Sequence, residues 1–573
     1  MLRYNNRSWF TCAEYKEKLL PHWRFIYSIC TNTDKVERSI SLLSESDFKL
    51  ADQTVIPSNK SNLHFKTAFS LFDIPSILQL VLTYYPSNHQ LPYFPIATSK
   101  TLEALGALKQ ALPSSSIWEP GSEEYEEINS SYLSGLESDL EPAFIFQPQA
   151  KEDISIFLKT IKPIGVEFAI RGAGMQPLPG SANIQGGVTL DLRRLTGIDI
   201  KDGFVQIGAG ERWGKVYEKL DASGLSVTGS RSAIGDIGGL ALQDGLSFFS
   251  TRGGFICDNV LNFEVVLASG EIVNANAIDN EDLWRALKGA GNNLGIVTRF
   301  DIWTFKQGPI WGDTVFYFPS SFPSQLESLV KELHKPNASK ETHLMLSIGY
   351  SSLVGNSIMC LNQPYYTQAV ENPPELDPFT KIQPQIDALN KMRLHSVKDA
   401  AAEQSASGQD RVRCAYMNIT VKADLGTLNA ASEIYTAELE PLKGVENVTL
   451  SLTLQPYPVS LMEQSTTHGG NSLGLDAAGG PLVSVLLLSY WKNKEDDSAV
   501  LGMMKGALGK IKADATERKQ LVPFVYMNYA FSHQDPLGSY GFKNRTKLQE
   551  ASKKYDPDGL FQKACPGGFK LFS

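Results

Sequence analysis

The stretch "FAIRGAGMQPLPGSANI", residues 168–184, places a glycine-bearing turn directly after a segment with the pattern of a short strand. The strand pattern ends at Arg171, and the next residues, 172–174, read Gly-Ala-Gly, which allows close backbone approach and positive φ angles. A glycine turn after a strand can direct several backbone N–H groups at one phosphate. Met175 comes next, and its thioether has no nucleophilic nitrogen.

Outward from this turn, strand-like and helix-like segments alternate. From about 140 to 305, short β-branched strands are predicted in "PAFIFQP", "VEFAIRG", "GVTLDL", "GFVQIGAG" and "EVVLASGEIV", with helices in "AKEDISIFLKTIKPIG" and "ERWGKVYEKLDASG". Residues 306–500 contain longer strands separated by helices, which indicates a second sheet covered on one face. The tail is predicted to be helical, with a short strand at "PFVYMNYA". This interleaving predicts an α+β or α/β nucleotide-binding region.

Composition excludes several classes of function. The 573 residues have a formal net charge of −9, which disfavours nucleic acid or an anionic membrane surface as a partner. Six scattered cysteines show no C-x-x-C spacing, so neither a zinc site nor a dense disulfide framework is indicated. The first residues lack the apolar stretch of an ordinary signal peptide. Residues 69–85 contain Asp73 and Pro75, which favours a buried helix over a membrane span.

Four glycine-rich segments fall between residues 170 and 301. They are 171–174, 234–250, 250–266 and 287–301. The last contains "GAGNNLG", which is not a dinucleotide fingerprint because a strand pattern rather than a helix follows it. One glycine turn is weak evidence, but four among short strands together indicate a shared phosphate-binding role.

These segments carry a resemblance to a known family. The runs "FIFQPQAKEDISIFLK", "IRGAGMQPLPGSANI", "GGLALQDGLSFFSTRGGFICDNVLNFEVVLASGEIVNANA", "DLWRALKGAGNNLGIVTRFD" and the tail from "YMNYAFSHQDP" to "ACPGGFKL" occur in the family's order. From about residue 105 onward the chain resembles the fungal FAD-linked oxidoreductases of the berberine bridge enzyme-like group, in the vanillyl-alcohol-oxidase/PCMH superfamily.

The resemblance implies an α+β fold with two lobes. It divides the chain into an atypical N-terminal extension at 1–104, a PCMH-type FAD-binding domain at 105–305 and a substrate domain at 306–500. Residues 501–573 return to the FAD domain. The substrate domain is expected to be an antiparallel sheet covered by helices, with its other face over the flavin.

The resemblance also implies a set of site residues, with FAD as the cofactor. The turn at 171–176 and the glycines at 238–239 would bind the diphosphate, 295–297 the adenosine side, and Asn528 would approach the flavin ring. The expected cofactor-binding residues are Arg171, Gly172, Ala173, Gly174, Met175, Gln176, Gly238, Gly239, Gly295, Ile296, Val297 and Asn528. Tyr529 is the first candidate for a catalytic base, ahead of Tyr416 and Tyr490.

The chain departs from the family pattern where the flavin is usually attached. Met175 stands where relatives carry the histidine that bonds to the flavin, and the chain has no histidine between His89 and His334. Relatives that attach the flavin at two points carry a cysteine near the position of Ser232 as the second attachment residue. The one cysteine of this region, Cys257, is expected instead to be buried and to fill space in the apolar core. Asp244 replaces a glycine and would add negative charge near a diphosphate.

The resulting prediction is an FAD-dependent oxidase that binds FAD without a covalent link. It would oxidise a small, largely apolar secondary metabolite, pass electrons to O2, use no metal and act as a monomer. Two alternatives stay open, a flavin-templated cyclase without net redox change and a degenerate paralogue that only binds a ligand. Relatives are often secreted, but no signal peptide is predicted here, so the compartment stays open.

Overall fold

The structure, a computed structural model, describes residues 2–4, 8–10, 98–113, 116–354, 357–406 and 412–572. The chain divides into two compact units, 1–94 and 95–573. In the first unit, β1 (Leu2–Tyr4) and β2 (Ser8–Phe10) pair antiparallel. The helix predicted at 69–85 lies outside the described residues. Within the described ranges, no helix is long and apolar enough to cross a membrane.

The second unit mixes strands and helices along its whole length. Its strands are β3 (Ser116–Trp118), β4 (Phe144–Gln147), β5 (Phe168–Arg171), β6 (Val188–Asp191), β7 (Ile198–Ile200), β8 (Phe204–Gly208), β9 (Leu225–Val227), β10 (Val260–Val266), β11 (Ile272–Asn276), β12 (Ile296–Lys306), β13 (Ile310–Gly312), β14 (Val315–Tyr317), β15 (Thr342–His343), β16 (Leu346–Ser351), β17 (Ser357–Asn362), β18 (Tyr365–Tyr366), β19 (Arg393–His395), β20 (Arg413–Lys422), β21 (Thr449–Tyr457), β22 (Leu482–Trp491) and β23 (Leu521–Val522).

Its α-helices range from one turn to six. They are α1 (Ser99–Ala111), α2 (Glu123–Asn129), α3 (Gly135–Ser138), α4 (Lys151–Ile164), α5 (Trp213–Asp221), α6 (Gly238–Gln243), α7 (Ser250–Gly253), α8 (Glu281–Leu287), α9 (Phe322–His334), α10 (Asp377–Thr380), α11 (Val397–Ala406), α12 (Leu425–Glu438), α13 (Val459–Thr467), α14 (Asp497–Glu517), α15 (Pro536–Ser539), α16 (Phe542–Tyr555) and α17 (Leu560–Lys563).

The first sheet of this unit has the order β3-β4-β6-β5, and β4, β6 and β5 run parallel. A parallel neighbour requires a crossover connection, and α4 supplies it between β4 and β5. The helix forms because apolar side chains recur at three- and four-residue spacing and are fully buried against the sheet: Ile154, Phe157, Leu158 and Ile161. Gly165, in a left-handed conformation, ends it. The glycine turn that follows β5 is therefore set on a rigid core.

The second unit also contains two larger antiparallel sheets. One has the order β11-β10-β12-β8-β7, with β9 on the end of β12. The other has seven strands in the order β14-β17-β16-β21-β22-β20-β23. Along β20, Ala415 and Met417 join the core under α12 and α14, whereas Tyr416 between them lines a cavity. This alternation follows from the two-residue period of a strand.

The expected α+β fold is confirmed, with an antiparallel sheet covered on one face by helices. The finer domain boundaries stay a prediction. The prediction of a strand at "PFVYMNYA" was wrong. The two-residue β23 ends before this segment, and the segment itself contains a 3-10 turn at Met527–Tyr529. The side chain of Asn418 accepts from the Tyr526 N–H and donates to its carbonyl, both at 3.0 Å, so this backbone finds partners without a neighbouring strand.

Candidate active site

One large cavity of about 1200 Å³ lies in the second unit. The glycine turns between residues 171 and 297 line one part of it, and the face of the seven-stranded sheet that the helices leave open lines another. The segment 526–529 lines it as well. A pocket of this size accommodates a large organic ligand, because drug-sized sites span roughly 300–1,000 Å³.

The turn after β5 lines this cavity through Gly172, Gly174, Met175 and Gln176. Gly174 has a φ of +75°, and a Cβ at this position would lie 2.7 Å from the ring of Tyr132. Only glycine meets both conditions without strain. The turn is therefore built to present its backbone, as the sequence predicts.

Arg171 holds the turn from behind. Its fully buried guanidinium donates to the Ile128 carbonyl at 2.6 Å and to the Ser131 carbonyl at 2.9 Å. It also lies 3.6 Å from the centre of the Tyr132 ring, a cation–π contact. Neither Arg171 nor Ala173 is among the residues that line the cavity. The Arg171 side chain thus positions the turn by anchoring it to the preceding loop.

The other predicted glycine segments reach the same cavity. Gly238 and Gly239 begin α6. Gly295 precedes β12, which begins with Ile296 and Val297, and all five residues line the cavity. Asn528 and Tyr529 line it too. Apart from Arg171 and Ala173, every predicted site residue therefore faces one continuous space, although their roles toward FAD stay predictions.

Asp236 occupies the hollow of the first turn. Its carboxylate accepts from the backbone N–H of Ala173 and from that of Gly239 at 3.2 Å, and so bridges two of the glycine turns. A Cβ on Gly172 would overlap this carboxylate. Burial raises the pKa of Asp236, against the two N–H donors, which lower it. Sequence reasoning overlooked this residue.

A pair of glutamines lies beside Met175. Gln243 Nε2 donates to Gln176 Oε1 at 3.0 Å, and Gln176 Nε2 lies 3.4 Å from the Met527 carbonyl. Among the described residues, Gln243 Oε1 finds no hydrogen-bond partner although it is buried. A buried acceptor without a partner is costly, so an N–H donor on a bound group would satisfy it.

Asp244 ties the cavity wall to the C-terminal segment. Its carboxylate accepts from the Gly245 N–H at 2.8 Å, from the Met527 N–H at 3.1 Å and from the side-chain amide of Asn528. Burial raises its pKa to about 7, although these donors lower it. Its negative charge is thus used within the protein, and Asp244 is not among the cavity-lining residues.

Tyr529 lies at the centre of a polar cluster in the cavity wall. Arg231 Nη2 donates to its phenol oxygen at 2.7 Å and to Gln455 Oε1 at 3.1 Å. Gln455 Nε2 lies 3.2 Å from the same phenol oxygen. Two donors, one of them cationic, therefore stabilise negative charge on this oxygen.

Aromatic side chains and one neutral histidine surround this cluster. The Tyr416 ring stands perpendicular to that of Tyr529 at 5.7 Å, and its hydroxyl lies 2.8 Å from that of Tyr490. His343 Nε2 lies 3.5 Å from Arg231 Nη1, and burial together with that charge holds the pKa of His343 well below its ordinary value. His343 is therefore uncharged, and Arg231 supplies the positive charge of the cluster.

The surroundings of Met175 and Ser232, the two positions at which a covalent flavin bond was considered, are also defined. Met175 is half-buried in the cavity wall. Ser232 lines the cavity as well, and its hydroxyl lies 3.1 Å from that of Ser405. Cys257 is fully buried and unpaired, and burial raises its pKa well above the ordinary value, as an apolar filler requires.

The cluster around Tyr529 was only partly predictable. Arg231 and Asp236 both lie in "SRSAIGDIGG", where sequence reasoning considered only the glycines and Ser232. A charged residue on each side of a phosphate-binding turn is a usable signal. No such signal marks Gln455 in the sequence, because it lies within an ordinary strand pattern, 224 residues from Arg231.

Comparison with known proteins agrees with this geometry. Residues 142–276 match the FAD binding domain family. The FAD-dependent monooxygenase FUP4 of Fusarium proliferatum is 34% identical over 456 residues, which cover 78% of this chain and 88% of that protein. The FAD-dependent monooxygenase tpcD of Cochliobolus heterostrophus is 34% identical over 446 residues, 75% of this chain and 85% of that protein.

Solved structures share the fold at low identity. Xylooligosaccharide oxidase from Myceliophthora thermophila, in complex with xylobiose, aligns with a TM-score of 0.66 at 18% identity, covering 82% of this chain and 99% of that one. Glucooligosaccharide oxidase from Acremonium strictum gives the same TM-score and identity, covering 82% and 98%.

Fold, matched domain and relatives together define an FAD-dependent oxidoreductase. Within that class, the chain belongs to the family of the fungal FAD-dependent monooxygenases named above, and it shares the PCMH-type fold of the oligosaccharide oxidases. The residues present fit this cofactor, since the glycine turns present backbone N–H groups and Gln243 offers an unsatisfied acceptor.

Proposed function

We propose that the protein is an oxidase that binds FAD without a covalent link and oxidises a small, largely apolar molecule. The observation that carries the proposal is the cluster in which Arg231 and Gln455 contact the Tyr529 phenol in the wall of a cavity of about 1200 Å³. Met175 supports the non-covalent part, because a thioether cannot make the bond that a histidine makes.

The residues that would hold FAD fall into three groups. The backbone of 172–176 and of Gly238 and Gly239 would bind the diphosphate, and 295–297 would contact the adenosine side. Gln176, Gln243 and Asn528 would supply polar contacts to the ring system. Tight binding without a bond is reasonable for such a site, because burial and several backbone N–H groups act together.

The chain's own catalytic contribution is the handling of a proton. The redox chemistry, removal of a hydride from the substrate and transfer of its electrons to O2, would be supplied by FAD held in this site. Tyr529 takes the proton that leaves the substrate hydroxyl or acidic carbon. Arg231 and Gln455 assist because they stabilise the negative charge on the phenol oxygen from which it acts.

Away from this cluster, the seven-stranded sheet lines the cavity with apolar side chains together with serine and threonine hydroxyls. The apolar residues are Phe316, Met359, Leu361, Leu486 and Leu488, and the hydroxyl-bearing residues are Ser347, Ser351, Thr449, Ser451 and Thr453. An apolar surface that also carries polar groups binds largely hydrophobic molecules and orients them through those groups. Together with the fungal relatives, this favours a role in tailoring a secondary metabolite.

Two measurements on the purified holoprotein test the proposal. Acid precipitation should leave a yellow supernatant and a colourless pellet, whereas colour in the pellet would refute non-covalent binding. A substrate added without air should bleach the flavin, and air should restore the colour. Product formed without bleaching would favour a cyclase, and absence of flavin from the native protein would favour a degenerate binding protein.

The relatives named monooxygenases raise a second candidate reaction. An oxidase releases hydrogen peroxide and leaves no atom of O2 in its product, whereas a monooxygenase transfers one. Turnover under ¹⁸O₂ with mass spectrometry of the product separates the two. Label in the product would replace the oxidase proposal with a monooxygenase.

A further inference from the structure

We propose that Asp236 is an internal competitor for the diphosphate of FAD, which lowers the affinity of this chain for its cofactor. Its carboxylate accepts hydrogen bonds from the backbone N–H groups of Ala173 and Gly239. These groups belong to the two turns that would bind the diphosphate. The inference rests on the reversible FAD binding proposed above.

The position of the carboxylate carries the argument. It contacts Gly172 so closely that a Cβ on that residue would overlap it, so it fills the hollow of the turn. Asp236 also lines the large cavity, on the side where the glycine turns converge. Both carboxylate oxygens are engaged, one by each turn, as the oxygens of a bound phosphate would be.

The charges around Asp236 do not remove the competition. Arg171 and Arg212 are the cations that face it. Arg171 donates to the Ile128 and Ser131 carbonyls, and Arg212 donates to the Ile234 carbonyl at 2.7 Å. The carboxylate is thus held by the same neutral N–H groups that an incoming diphosphate needs, and two like charges cannot share them.

FAD binding therefore requires the carboxylate to leave these N–H groups or to become protonated, and either change reduces the observed affinity. An acidic side chain at this position and a methionine in place of the tethering histidine act in the same direction. Both make FAD a cofactor that exchanges with solution rather than a permanent part of the fold.

The test is the dissociation constant for FAD of the full-length protein after the flavin has been removed, measured by fluorescence quenching at pH 7.5. Asp236→Gly and Asp236→Asn should each bind FAD at least tenfold more tightly than the wild type. Asp202→Asn removes the same charge from an exposed loop, so it should not change the affinity. Riboflavin, which has no phosphate, should bind equally to wild type and variants.

Any of the following results would overturn the inference. If both Asp236 variants bind FAD as the wild type does, or more weakly, the carboxylate supports the turn rather than competing for it. An equal gain for riboflavin would show a general change of the pocket. Flavin that stays in the acid precipitate would refute non-covalent binding and with it this exchange, whereas released flavin with unchanged affinity refutes this inference alone.

Discussion

At the scale of single residues, the proposed non-covalent binding of FAD depends on Met175. It lines the cavity from the turn after β5, and histidine is absent from the whole segment between His89 and His334. Met175→His should therefore make part of the flavin resistant to acid release, whereas Met175→Leu should leave it fully releasable. SDS gel fluorescence of the precipitated protein measures both. Complete release from Met175→His would show that the side chain at 175 does not reach the flavin.

Arg231 and Tyr529 form the second pair to be tested at this scale. Tyr529→Phe should lower kcat by about 10²–10⁴-fold, the usual contribution of a general base. Arg231→Gln should lower kcat less, with little change in KM, because the phenol oxygen loses its cationic hydrogen-bond donor. The measurement is the rate of flavin reduction as a function of substrate concentration.

Arg231→Lys is the matched control for this pair. A lysine retains the positive charge, although it loses the planar fork that contacts Tyr529 and Gln455 together. It should keep more of the wild-type kcat than Arg231→Gln does. If Arg231→Gln has the wild-type kcat, Arg231 only packs against Tyr529 and does not assist it.

At the scale of elements, Asp244 attaches the segment 527–529 to the end of α6. Its folded pKa of about 7 exceeds the ordinary value of 3.8, so the folded chain holds an extra proton between about pH 4 and 7. Its contribution to the free energy of unfolding is complete below pH 4 and is lost as the pH rises through 7. The size is a few kcal/mol, at about 1.4 kcal/mol per pH unit.

Asp244→Asn should remove this dependence. The stability of the wild type, measured by denaturant unfolding relative to Asp244→Asn, should fall from pH 4 to pH 8. The variant should also lose activity at neutral pH, because its amide can accept from fewer of the three donors that Asp244 engages, and Tyr529 follows directly in the chain. Parallel pH profiles for the two proteins would contradict the shifted pKa.

Elements with a local pattern were predictable, and the segment held by Asp244 was not. The helix α4 has a buried face at regular spacing and a glycine at its end, and its sequence alone indicates it. The segment "PFVYMNYA" has strand-forming residues, but its backbone hydrogen bonds go to Asn418 and Asp244, which lie 108 and 283 residues away. A window of sequence contains no information about partners at that distance.

At the scale of the whole molecule, one part of the site could be predicted from the sequence and another part could not. The glycine turns lie within one region of the chain and were identified by composition and order. The polar cluster around Tyr529 joins Arg231 to Gln455 and to Tyr529, 224 and 298 residues further on. Only the packing of the two sheets around one cavity brings them together. The resemblance supplied Tyr529, and the fold added the residues that act on it.

Because both sheets line this cavity, FAD should stabilise the molecule as a whole. At a free FAD concentration of 100 times the dissociation constant, binding adds about 2.7 kcal/mol to the free energy of unfolding. Hydrogen exchange should slow in the turn at 171–176 and also in β20 and β22, whose cavity-facing residues include Tyr416 and Tyr490. The helix α9, on the covered side of the sheet, is the internal control, because it should gain only the protection that global stabilisation gives to every element. Protection confined to 171–176 would mean that FAD contacts only its own lobe, and that the second sheet closes the cavity only when substrate is bound.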